Sequence, residues 1–168
     1  MEPPLKRLTD SIAAVTRGMT AADLARHPAG KWSAAEVLEH LYRTYTSTVK
    51  GFTRCVQAGH PLVTPPTLQQ RIAAGITVGL GIMPGKREAP AYTRPQGMPL
   101  EKILAELESQ IAAMDAIISQ CEERHGKRVK LLDHQILGPL TGKQWRKFHW
   151  VHGRHHIRQI ERLRASQS

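Results

Sequence analysis

The chain has 168 residues, of which 40% are hydrophobic, 23% charged and 5% aromatic. This fits one globular domain over residues 1–168 with a core of mainly Leu, Ile, Val and Ala, and it excludes an intrinsically disordered chain. Lys and Arg number 24 against 14 Asp and Glu, a net charge of +10; that admits nucleic acid, an acidic membrane surface or an anionic small molecule as partner and selects none. No apolar run is long enough for a membrane span. The opening Met1-Glu-Pro-Pro-Leu-Lys-Arg lacks the apolar stretch of a signal peptide. Cys55 and Cys121 stand far apart without a CxxC pattern, so the expectation is a cytoplasmic chain with both thiols reduced.

Helical periodicity dominates. Leu5, Leu8, Ile12 and Val15 form an apolar stripe that Gly18 ends, and Thr20 suits the cap of a short helix over 21–26. Ser33 and Glu36 make an S-x-x-E capping box opening a long helix. Its core face carries Leu38, Leu41, Tyr42, Tyr45, Val49 and Phe52, and its charged face Glu36, Glu39, Arg43, Lys50 and Arg54. Pro61, Pro65 and Pro66 break the chain. A third apolar segment runs from about Leu68 to Met83, its helical character weakened by Gly75, Gly79 and Gly81. Residues 84–98 read as a Pro- and Gly-rich loop, and Pro99 as the first helical position of the next element. Leu100, Ile103, Leu104, Leu107, Ile111, Met114, Ile118 and Cys121 then give the cleanest amphipathic stripe. A connector over 126–141 holds His134 and contains no evident strand. Thr141 and Gln144 make a T-x-x-Q box, and the last helix runs to about Arg164. The expected fold is all-α, a four-helix bundle with long inter-helix connections.

The chemistry concentrates on the last helix. Trp145, His149, His152, His156, Gln159 and Leu163 follow one another at the alternating three- and four-residue spacing of a core-facing stripe. Buried imidazoles need partners, and a metal ion would supply one; hydrogen bonds within the core, or exposure at a bundle end, would also satisfy them. His152 and His156 lie one turn apart and can reach one ion. Gly153 stands where a zinc protease of the HExxH type needs its glutamate, which excludes that activity. A third ligand must come from another helix, and His40 is the best placed, beside the small uncharged Val37, Thr44, Ser47, Thr48 and Gly51. On periodicity alone, that position equally suits a histidine at the border of the solvated face.

These segments resemble the DinB-like superfamily, which includes YfiT-type metal-dependent proteins. The resemblance rests on Lys31-Trp-Ser-Ala-Ala-Glu-Val-Leu-Glu-His-Leu and on His152-Gly-Arg-His-His-Ile-Arg-Gln. The connector Asp133-His-Gln-Ile-Leu-Gly-Pro-Leu-Thr, followed by Trp145, is similar to a less characterised branch, where a proline usually stands in the place of Gln135. The resemblance implies a four-helix bundle in which one histidine of the second helix and two of the last hold a metal. Carried across, these are His40, His152 and His156, in preference to His27, His60, His125 and His134. His134 is expected as a loop histidine near the site.

Three neutral histidines leave an ion open positions, the arrangement of a catalytic centre. Histidine nitrogen suits zinc or nickel first, with iron or manganese also admitted. His149 and Gln159 are the candidates for contacting a cofactor or substrate, with His149 also readable as a packed neighbour of the ligands. Glu36 is a candidate partner for the second nitrogen of His40. The resemblance implies a metal-dependent transferase that activates a low-molecular-weight thiol toward an electrophile, with basic residues near the pocket attracting the thiol's carboxylates. The alternatives are a non-catalytic metal-binding stress-response protein and, third, a nucleic-acid-binding protein using Arg154, Arg158 and Arg162. The expected partner is a small anionic or thiol-containing molecule. The apolar faces and the glycine-rich third segment also fit a homodimer.

Overall fold

A computed structural model describes residues 1–27, 29–83 and 88–165. Its helices are α1 (Pro3–Thr16), α2 (Ala21–Ala25), α3 (Ala34–Ala58), α4 (Leu68–Ala74), α5 (Leu100–His125) and α6 (Gly142–Ala165). The predicted caps form: Thr20 opens α2 and Ser33 opens α3, each bonding reciprocally with the acidic residue three positions on. Thr141 and Gln144 exchange side-chain-to-backbone hydrogen bonds at the start of α6. Such boxes satisfy amide groups that the first helical turn cannot.

The apolar stripes explain the packing. Leu5, Leu8, Ile12 and Val15 of α1 are buried, as are Leu38, Leu41, Tyr45 and Phe52 of α3 and Ile103, Leu107, Ile111, Met114, Ile118 and Cys121 of α5; Leu104, expected on the same stripe, is instead exposed. α3 lies along α5 and α1 along α6, and α6 also touches α3 and α5. Gly153 lets α1 approach α6 closely, since a Cβ there would stand 2.2 Å from Leu8 Cδ1. A buried ionic group ties three helices together. Arg146 of α6 bonds Asp115 at 2.6 Å and Glu122 at 2.7 Å on α5, and Asp115 also accepts the backbone N–H of Glu2 at 2.7 Å.

The connectors depart from expectation. The third apolar segment is helical only to Ala74, after which Gly75–Gly79 form a π-helical turn and Gly81 adopts a positive φ of 72°. Its glycines bring no side-chain packing to hold a regular helix. Pro99 caps α5 rather than opening it, and a 3-10 turn stands at Ala91–Thr93. The predicted loop over 84–98 begins with four residues outside the described set. The connector before α6 folds into an antiparallel hairpin, β1 (Leu132–His134) against β2 (Gly138–Leu140), with Leu62 bridging to Leu132. Three-residue strands are too short to show alternation in sequence. Among the described residues, no helix is long and apolar enough to cross a membrane.

Candidate metal centre

The capping box at Ser33 sets the register of α3 so that His40 points inward, and the Thr141 box does the same for α6. His40, His152 and His156 are all buried, and one ring nitrogen from each lies within 4.8 Å of the others. The Nε2 atoms of His40 and His156 each stand 3.2 Å from Nε2 of His152. Zinc with its usual ligand distances would separate tetrahedral nitrogens by about 3.3 Å, close to these two separations.

Hydrogen bonds fix two of the three tautomers. His40 Nδ1 donates to the carbonyl of Thr93 at 2.9 Å, and His156 Nδ1 donates to Gln159 Oε1 at 3.1 Å. Both rings therefore present Nε2 lone pairs toward His152. A proton on His152 Nε2 could be given fully to only one of them. A proton on His152 Nδ1 would leave three lone pairs facing one point, which a cation relieves. His152 Nδ1 is buried without a hydrogen-bond partner among the described residues. Burial lowers the pKa of all three, that of His156 to about 3, so they stay neutral as ligands must.

Each sequence expectation has a location. Glu36 is not the partner of His40: it caps α3 and pairs with His27 at 3.2 Å. That partner is Thr93, brought in by the 91–98 segment. Gln159 lines the cavity but commits its oxygen to His156 rather than to a ligand alone. His149 is fully buried behind the three, bonding Thr48 Oγ1 at 3.2 Å, and stands outside the group that could hold an ion. Since Thr48 Oγ1 donates to Thr44, His149 carries its proton on Nε2, and burial pushes its pKa down to about 3. His155 stands edge-on to His156, and His134 is a partly buried strand residue, not a loop histidine.

Sequence reasoning placed Glu39 on a solvated face. It is buried, and its carboxylate accepts the backbone N–H groups of Gln96, Gly97 and Met98 at 2.7, 3.0 and 3.1 Å. It thereby seats the segment that holds His40. No periodicity could reveal this, because the covering segment is distant in sequence.

The centre opens on a cavity of about 300 Å³. Trp32, Phe148, Ile136 and Leu137 supply apolar wall, with Trp32 5.3 Å from the ring of His40. Among the described residues, no Lys or Arg lines this cavity. Lys86 and Arg87 lie outside the described residues. Of the α6 cations, Arg146 is in the buried ionic group, while Lys147, Arg154, Arg162 and Arg164 donate to the carbonyls of Gly79, Gly81, Arg158 and Val15. Lys143, Lys147, Arg158, Arg162 and Arg164 stay exposed, and a bond to a neutral carbonyl leaves the charge in place.

No curated protein and no solved structure matches the chain. A family model does, over residues 5–163, from the first buried residue of α1 to the last of α6. The chain belongs to the family described as protein of unknown function (DUF1569).

Proposed function

We propose that the chain is a DinB-like four-helix bundle whose His40, His152 and His156 hold a divalent ion. We further infer that it is a transferase joining a low-molecular-weight thiol to an electrophilic small molecule. The observation that carries this reading is the convergence of three buried Nε2 atoms at the wall of a cavity. A structural zinc usually has four protein ligands, so three leave room for a small molecule. An ion there supplies Lewis acidity and favours the thiolate form of a thiol reaching it. The chain's own residues do the rest. Thr93 and Gln159 fix two imidazoles in the ligating tautomer. Burial keeps the rings neutral, and Phe148 and Trp32 limit water at the cavity wall.

Elemental analysis of the wild type beside His40→Ala, His152→Ala and His156→Ala tests the centre, with thiol consumption against a model electrophile as the second readout. One ion per chain in the wild type and its loss in each variant are expected. A wild type that holds no metal after incubation with zinc, nickel, manganese or iron refutes the centre. Loss in the last-helix variants alone removes His40 as a ligand. Metal without thiol consumption removes the transferase and leaves a metal-binding protein.

A further inference from the structure

His134 is absorbed by nothing described so far. It ends β1, and its Nδ1 accepts the backbone N–H groups of Ile136 and Leu137 at 3.1 and 3.2 Å. A neutral imidazole accepting at Nδ1 carries its proton on Nε2. Burial lowers its pKa to about 4, so the ring is neutral at pH 7. Its ring is held edge-on against Phe148, centroids 4.4 Å apart, and tilted against Trp145. Phe148 in turn stacks on His152 at 5.5 Å. His134 is thus one phenyl ring away from the metal-ligating group and lines the same cavity. Among the described residues, no acceptor bonds its Nε2–H.

The rest of the wall constrains what can take that proton. It has no described Lys or Arg, and its single carboxylate, Glu88, is exposed and paired with Arg94. A volume of about 300 Å³ admits only a compact molecule.

We propose that the cavity takes a compact ligand whose head group reaches the His40, His152 and His156 centre and whose oxygen acceptor takes the Nε2–H of His134. The proposal rests on the metal-dependent reading above and names a ligand-binding residue that reading leaves open. His134 binds the ligand and is not itself a metal ligand.

The test uses cobalt(II)-loaded protein, whose absorption changes when a thiol reaches the ion. Methyl thioglycolate carries a thiol and an ester carbonyl; 1-butanethiol carries the thiol alone. His134→Phe should weaken methyl thioglycolate about three- to tenfold, the worth of one hydrogen bond, and leave 1-butanethiol unchanged. Equal weakening of both probes, or no weakening, overturns the proposal. Failure of cobalt to load is a separate result that strikes the metal reading instead. Phe cannot accept the two turn N–H groups, so the variant's fold is at risk. Nitrogen-15 histidine spectra of the metal-free wild type therefore provide an independent test. A protonated Nε2 and bare Nδ1 on His134 at pH 7 are expected, and the opposite tautomer overturns the assignment.

Discussion

Replacing Glu39 by Ala removes the acceptor for three backbone N–H groups at 2.7, 3.0 and 3.1 Å, none of which lies in a helix. Hydrogen bonds to a charged group are worth about 1.5–3 kcal/mol each. Gln96 and Gly97 are exposed, so water recovers part of the loss, and the net cost is about 3–5 kcal/mol, as for other broken buried charge networks. In a chain of this size each kcal/mol lowers Tm by about 2–4 °C, so Glu39→Ala should melt roughly 10 °C below the wild type. The same segment carries Thr93, whose carbonyl holds the tautomer of His40. Loss of such a partner typically weakens metal binding about 10- to 100-fold. Calorimetric melting of metal-free protein and zinc titration against a chromophoric chelator read the two effects separately. Glu39→Gln keeps one acceptor oxygen and should fall between. A Glu39→Ala protein that melts within about 2 °C of the wild type, by the same conversion under 1 kcal/mol, and binds zinc as tightly would refute the reasoning.

Acid should destabilise the metal-free protein well before its carboxylates protonate. His134 and His149 have folded-state pKa values pushed down to about 4 and about 3 by burial, against about 6.5 when unfolded. Below pH 6.5 the unfolded chain gains protons that the folded one refuses, so stability is complete above that pH and falls toward the folded values. At about 1.4 kcal/mol per unit for each ring, the two lose about 4 kcal/mol together by pH 5. Urea unfolding at pH 7 and pH 5 measures this, and equal stability at both would contradict it. Gly153→Ala places a Cβ 2.2 Å from Leu8 Cδ1 and should cost about 1–3 kcal/mol through overpacking. Adding Leu8→Ala relieves the clash, so the double variant should be more stable than the two losses summed; strict additivity in thermal melts would show that the helices do not meet there.

What was legible in the sequence had a local or periodic cause. Ser33 with Glu36 and Thr141 with Gln144 are four-residue signals, and both boxes form. The inward stripe of His149, His152 and His156 follows from helical spacing, and all three are buried. What was illegible depends on segments meeting across the chain. Glu39 reads as solvated because its helix face is polar; only the 96–98 backbone reveals why a carboxylate is wanted there. Thr93 has no signal at all, since its contribution is a backbone carbonyl. The β1–β2 hairpin hides in three-residue strands, one containing Pro139. Cys55 and Cys121, far apart in sequence, come close on α3 and α5, and the Cys121 thiol is pushed up to about 12 by burial first and by Cys55 second.

The arrangement separates two tasks. The three histidines proposed to hold the ion sit on α3 and α6, long helices that bury many further residues in the core. The cavity walls come largely from connectors with little core of their own, each fastened by polar clamps. Glu39 holds 96–98, Lys147 and Arg154 hold the carbonyls of Gly79 and Gly81, and Trp145 Nε1 holds the carbonyl of Leu132 beside His134. Helices with committed faces resist change, whereas clamped connectors tolerate it. Substitutions in 77–83, 88–93 or 134–137 can therefore reshape the ligand space without disturbing the three nitrogens. The exception is Thr93, where wall and centre share one residue. A change that moves that carbonyl alters ligand space and metal affinity together, which makes the 91–98 segment the point where the two tasks are coupled.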